Sequence, residues 1–400
     1  AFDKGRNDIA EYLLQQGADN MIQSHDGSTS LLYALNAYNF GGVELCLKYT
    51  PNLVHLQDYE GKTALVLALA RGNELIVRKI VATLKLLPLA GLSDEPLTVD
   101  TPTNIGVRPL LLAFFNGTKT IAELLVNAGA KIDVQDNVGR NILHFAVYSG
   151  DYECVLYALS LVKNKIPITS IDNDGRNVLH MAVRRADPRV FDLLVQEGAS
   201  LDTLTPEGFS LQTLAATFGN IVLLKHLVEK YKLSCTVKDL YGGTVLLAAT
   251  CSTGNLVDVL RSKHRNLGNE EILTKAQDLS YECVAYSLAH GSDPLAIDRS
   301  GFNALHYAAH NKASEKTIDL LLKNKLSIEA RTKEGVTPLY LALESGNFPV
   351  ARKLLKNGAN IFARSKTGRN ALHSALLGRS PECVQLCFDS KIDIKQSDND

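Results

Sequence analysis

Gly301-Phe302-Asn303-Ala304-Leu305-His306-Tyr307-Ala308-Ala309 is the stretch that decides the fold, because near copies of it recur along most of the chain. Gly139-Arg140-Asn141-Ile142-Leu143-His144-Phe145-Ala146, Gly175-Arg176-Asn177-Val178-Leu179-His180-Met181-Ala182 and Gly368-Arg369-Asn370-Ala371-Leu372-His373-Ser374-Ala375 are the clearest. Gly335-Val336-Thr337-Pro338-Leu339-Tyr340-Leu341-Ala342 keeps the phrase but puts Tyr where the others have His. With the glycine as anchor, the series stands at 27, 61, 106, 139, 175, 208, 242, 268, 301, 335 and 368, in steps of 34, 45, 33, 36, 33, 34, 26, 33, 34 and 33.

A Gly-x-Thr-Pro-Leu-His-x-Ala-like phrase at a period near 33 residues resembles the ankyrin repeat. The resemblance covers essentially the whole chain. It implies an all-α ankyrin-repeat solenoid, in which helix-turn-helix units joined by β-hairpin loops stack sideways. About eleven repeats are expected, plus partial ones at the ends, in one domain spanning 1–400. It further implies a protein-binding surface without chemistry of its own.

Lys plus Arg at 42 nearly balances Asp plus Glu at 43, so no global field draws the chain to nucleic acid or anionic lipid. No run of about 18 apolar residues is present to insert into a bilayer. The opening Ala1-Phe2-Asp3-Lys4-Gly5 lacks the basic start and apolar core of a secretory signal. An intracellular, cytoplasmic location is therefore expected. Asp8 to Asp19 reads as the second helix of a repeat whose first half is missing, and 391–400 as the start of another hairpin, so the chain is expected to be a fragment.

Two places break the period. Between Gly61 and Gly106 the step is eleven or twelve residues too long, with the excess in a leucine-rich stretch at 85–104 carrying Pro88, Pro96 and Pro102, which exclude a regular helix. Tolerated loop length and a partner contact are both open there. The step from Gly242 to Gly268 is short, and the phrase after Gly268 lacks Thr-Pro and His. We read it as a degenerate repeat, since Tyr281-Glu282-Cys283-Val284 keeps the phase of Tyr152-Glu153-Cys154-Val155, with an irregular junction at 262–269.

His144, His180, His306 and His373 each stand five residues after their glycine, and a catalytic or ligand histidine would not recur at every equivalent site. In the family such a histidine ties hairpins together through backbone hydrogen bonds. The seven cysteines are too few for a disulfide scaffold, and Cys154, Cys283 and Cys383 share one phase, which points to small apolar residues in helix packing rather than to metal. Clusters such as Asp172-Asn173-Asp174-Gly175 lack the ligand spacing of a calcium loop and suit a hairpin tip. No phosphate loop, nucleophile elbow or HExxH stretch appears, so neither enzyme activity nor a cofactor is expected.

Identity should reside in positions that the repeat does not dictate. In the family these are the two residues before the glycine, the one after it, and those nine and ten after it, all on the concave side. Carried onto this chain they include Arg140, Tyr148, Arg176, Arg184 and Arg185, a Tyr beside four arginines that suits an acidic or phosphorylated partner segment. Ordinary solvated charge is the competing explanation. Farther on they include Phe209, Phe218, Tyr241, Phe302 and His310, candidates for an aromatic anchor. The expected function is a non-catalytic scaffold that binds a partner protein or peptide on its concave face. The alternative is a targeting or regulatory module of a larger enzyme, membrane channel or toxin.

Overall fold

The computed structural model describes residues 1–86, 97–163, 165–185, 187–263 and 266–392, the side chains of Arg185, Ser262 and Lys263 excepted. Half of the 85–104 insertion, residues 87–96, and the tail beyond 392 lie outside the described residues. Among them the secondary structure is helical, with strand pairing reduced to isolated bridges such as Gln135 to Asn141 and Ile297 to Asn303. They fall into two compact units, Ala1–Ala199 and Ser200–Asp400.

Each repeat begins with a hairpin whose geometry follows from its sequence. Three residues before the glycine stands Asp, Ser or Thr. At Asp136 the carboxylate accepts the Arg140 backbone N–H at 2.8 Å, while the Asp136 N–H donates to the Arg140 carbonyl at 3.0 Å. The chain can close so tightly because Gly139 sits at φ 79°, a conformation open to glycine at no steric cost. The residue two after the glycine then caps the first helix: Asn141 Oδ1 accepts the N–H groups of Leu143 and His144 at the start of Ile142–Ser149. First helices run seven or eight residues in most repeats, and second helices such as Lys119–Asn127 and Phe348–Lys356 run nine. Their apolar faces meet within and between repeats, with Leu110, Phe114, Ile121 and Leu125 fully or almost fully buried in one such layer.

Consecutive hairpins are joined by a backbone bond from the residue two before one glycine to the residue just before the preceding glycine. Asn173 N–H donates to Val138 O at 2.8 Å in the first unit, and Lys333 N–H to Ser300 O at 2.9 Å in the second. The same bond runs from Arg299 N–H to Tyr241 O at 2.8 Å. The hairpin at Gly301 therefore follows the hairpin at Gly242 directly, and the expected degenerate repeat at Gly268 is corrected. Gly268 has φ −68° and is the N-cap of a helix, not a hairpin tip. The step of 59 from Gly242 to Gly301 is one repeat period, whose described residues form two greatly lengthened helices, Val245–Lys263 and Asn269–Ala289, each roughly 30 Å long at 1.5 Å per residue. Of the expected 262–269 junction, residues 264 and 265 lie outside the described residues; the remainder ends one long helix and begins the other.

The extra turns form a helical arm with a small core of its own, Leu256, Leu260, Ile272 and Ala276, against which Val257, Leu267 and Leu279 pack. At its base the arm is held by the helix turns on either side: Asn255 Nδ2 donates to Thr217 O at 3.3 Å, and Gln277 Nε2 to Lys312 O at 2.8 Å.

Two of the recurrent histidines bridge hairpins. His144 Nε2 lies 3.2 Å from Arg176 O, and His306 Nε2 lies 3.2 Å from Val336 O, in each case the carbonyl one residue past the next glycine. Tyr340 makes the same link, its single hydroxyl proton shared between the carbonyl oxygens of Arg369 and Ala363, the latter 2.8 Å away. Burial lowers the pKa of His144 and His306 from 6.5. The unfolded chain then binds these protons more readily than the fold, so their stabilisation is intact above pH 6.5 and is lost as the pH falls through that value toward the folded pKa. Melting temperature should drop between pH 7 and about 5, by about 2–4 °C per kcal/mol lost. His306→Tyr, which copies the Tyr340 link without a group titrating there, should flatten that drop in the second unit. An unaltered pH profile in the variant would show that His306 does not titrate with unfolding.

Candidate binding surface

In the first unit the residues nine after successive glycines form a column. Phe115 stacks on Tyr148 with ring centres 5.2 Å apart and planes 13° apart, and the Arg184 guanidinium carbon lies 5.7 Å over the Tyr148 ring. Phe115 was not among the expected site residues, although it occupies the same position in the repeat of Gly106 and could have been found by carrying the pattern one repeat back. Arg140 is committed within its own hairpin: Nε and Nη2 donate to Asp136 Oδ2 at 2.8 and 2.6 Å, and the guanidinium lies 4.8 Å over Phe145. The Asp136 side chain is 1% exposed, so this fork holds a buried carboxylate rather than facing solvent for a partner. Arg176 is exposed. The Arg185 side chain lies outside the described residues. The four arginines are thus not equivalent: among the described side chains, Arg184 adjoins the aromatic column and Arg176 stands open.

In the second unit Phe209 and Tyr241 come together. They line a cleft of about 340 Å³ between the hairpins and the first helices, with Thr213, Thr217, Gly243, Leu247, Cys251 and Tyr307 on its other walls and Asp239 and Asp298 at the hairpin side. Tyr241 is 56% exposed at a hairpin tip. Phe302 stands behind the cleft, half-buried, its ring 5.4 Å from that of Tyr307. Phe218, at the C-cap of Leu211–Thr217, is half-buried and is not among the lining residues, and His310 is exposed in the last turn of Ala304–His310. Tyr307, Cys251 and the two aspartates were not anticipated. Their positions in the repeat carry no distinguishing signal until neighbouring repeats are placed side by side.

Both charged residues lining the cleft are aspartates, Asp239 and Asp298. Tyr307 donates its hydroxyl to Asp298 Oδ2 at 2.5 Å, and burial together with that carboxylate raises its pKa strongly. Burial, then the charge of Asp298, pushes the Cys251 thiol up to about 12, so it stays protonated and is a poor nucleophile. Burial likewise pushes Cys154 and Cys283 up to about 12, and Cys46 and Cys387 up to about 11, the behaviour of cysteines that serve packing.

A family model for ankyrin repeats in three copies matches residues 1–86, 110–205, 273–365 and 313–398. The chain belongs to the ankyrin-repeat family. Between 205 and 273 the matched ranges leave a gap that contains the whole of the lengthened helix Val245–Lys263 and the start of its partner. Ankyrin repeats form a protein–protein interaction module. Among similar proteins, human Rabankyrin-5 is 25% identical over 177 residues, 41% of this chain and 14% of that protein. Transient receptor potential cation channel subfamily A member 1 of Homo sapiens is 25% identical over 384 residues, 89% of this chain and 32% of that protein. Phosphocholine transferase AnkX of Legionella pneumophila is 25% identical over 191 residues, 47% of this chain and 20% of that protein. The ankyrin-repeat chain thus spans at most 32% of the length of these three relatives. Among its described residues no helix is long and apolar enough to cross a membrane.

Proposed function

We propose that this ankyrin-repeat array is a non-catalytic scaffold that binds a partner protein through the face made by its hairpins and first helices. The observation that carries this is the second-unit cleft, where Phe209, Tyr241 and Tyr307 surround about 340 Å³ of open space beside a tyrosine that remains 56% exposed. Aromatic side chains around a preformed recess suit an interface anchor, since little ordering is left to be done on binding. The first unit by itself offers Tyr148 with Arg184 and the exposed Arg176, which suit an acidic partner segment. The step of 33 from Gly175 to Gly208 supports treating both units as parts of one repeat series. Seven free cysteines support an intracellular location.

The array also suits a targeting or regulatory module within a longer chain. That second role is favoured by the alignment covering 89% of this sequence but only 32% of the channel subunit. Affinity capture with cross-linking mass spectrometry tests the surface. Phe209→Ala/Tyr241→Ala should reduce the partners captured by at least about tenfold, as expected on losing a hot-spot pair. Arg176→Glu/Arg184→Glu should selectively remove acidic partners. Capture unchanged by both pairs, with helical content preserved, would place binding elsewhere.

A further inference from the structure

Two hairpins of the same design differ in what meets their buried-side carboxylate. At Gly139, Asp136 Oδ1 accepts the N–H groups of Val138 and Arg140, while Oδ2 is occupied by the Arg140 guanidinium, which also lies over Phe145. At Gly242, Asp239 Oδ1 accepts the N–H groups of Tyr241 and Gly243, both at 2.7 Å, in the same way. Here, however, the position of Arg140 is held by Gly243 and that of Phe145 by Ala248, so both the guanidinium and the ring beneath it are missing. Among the described residues Asp239 Oδ2 has no hydrogen-bond or ion-pair partner. The space vacated by the two truncations is part of the cleft that Phe209, Tyr241 and Tyr307 line. The carboxylate at Gly301 does not repeat this situation, because Asp298 Oδ2 is taken by the Tyr307 hydroxyl.

A carboxylate oxygen with no internal partner, set in a recess walled by aromatic faces, is complementary to a cation with an extended flat shape. The charge attracts it, the rings hold it by cation–π contact, and partial exclusion of water strengthens both. We propose that this cleft receives a basic side chain of the partner protein, arginine in preference to lysine, its guanidinium taking beside Asp239 Oδ2 the place that Arg140 takes beside Asp136. Arginine is preferred because its planar fork can bond the carboxylate and lie against a ring together, as Arg140 does. This deepens the partner-binding function proposed for the same face, and it assigns the second unit a basic contact where the first unit offers arginines to acidic ones.

N-acetyl-argininamide, N-acetyl-lysinamide and N-acetyl-leucinamide are the probes, followed through the ring resonances of Tyr241 and Tyr307 in tyrosine-labelled protein. The arginine compound should shift both resonances, saturating with a dissociation constant on the order of 1 mM. The lysine compound should bind more weakly, and the leucine compound should shift neither. Asp239→Asn retains the Oδ1 acceptor that builds the hairpin but removes the charge, and should weaken the arginine compound at least about tenfold. Gly243→Arg should abolish its binding by filling the cleft from within. Equal response to arginine and leucine, or full arginine binding in Asp239→Asn, would overturn the proposal; folding of each variant is checked by its melting curve. Partner capture that needs Phe209 and Tyr241 yet survives Asp239→Asn and Gly243→Arg would sink the basic-residue assignment and leave the partner surface standing. Arginine-specific binding with capture indifferent to Phe209→Ala/Tyr241→Ala would do the reverse.

Discussion

Phe114→Ala should destabilise the first unit by about 3–5 kcal/mol, the range for truncating a buried phenylalanine. The ring has no exposed surface and lies on the helix Pro109–Phe115, stacked at 6.1 Å and 29° against Tyr157 of the helix Tyr152–Val162 in the next repeat. Its loss therefore opens a cavity at a junction between repeats as well as within one. Because each repeat of such an array is supported only by its neighbours, the damage should spread locally rather than through the whole chain. Urea denaturation with hydrogen exchange checks this: protection should fall first in the repeats of Gly106 and Gly139. A loss below about 1 kcal/mol would mean that Tyr157 and its neighbours close the space, against the stiffness expected of a packed core.

Gly378→Ala should cost about 1–3 kcal/mol, the range for overpacking a tight site, although the local backbone would tolerate the change. Gly378 has φ −68°, where alanine is normally at ease. A β-carbon there would nevertheless run into Leu343 O, and would stand only 2.9 Å from Glu344 O and 3.0 Å from Gly346 N. These are backbone atoms of the preceding repeat and cannot rotate away. Gly254→Ala is the internal contrast. Gly254 lies within the helix Val245–Lys263 and has nothing within 4 Å of its would-be β-carbon, so alanine should stabilise by about 0.5–1 kcal/mol. Opposite signs in thermal denaturation of the two variants are expected. Stabilisation by both would show that the two repeats separate at Gly378 without loss.

The binding surface was only partly legible. Phe209 and Tyr241 stood out as large aromatics where the repeat asks for none, and they do share one cleft. Arg140 stood out for the same reason, yet its partner Asp136 was hidden behind the common turn chemistry of every hairpin, so its commitment could not be seen. Asp239 looked identical to Asp136. What distinguishes them is Gly243 in place of a side chain, and the absence of an atom leaves no mark in a residue pattern.

Local chemistry was enough to establish the repeat, its phase at all but one of the glycines, and the residues of the hairpin tips. Each depends on residues within one period, where spacing maps directly onto hydrogen bonds. Three-dimensional assembly was needed to show that Gly268 begins a helix and that the hairpin at Gly242 bonds directly to the one at Gly301. It was needed as well to reveal that a side chain at Gly378 would meet the backbone of the neighbouring repeat and that, among the described residues, Asp239 keeps one oxygen unpartnered. Those properties arise from atoms tens of residues away, brought close by stacking, and no window the length of a single repeat contains both sides of the contact.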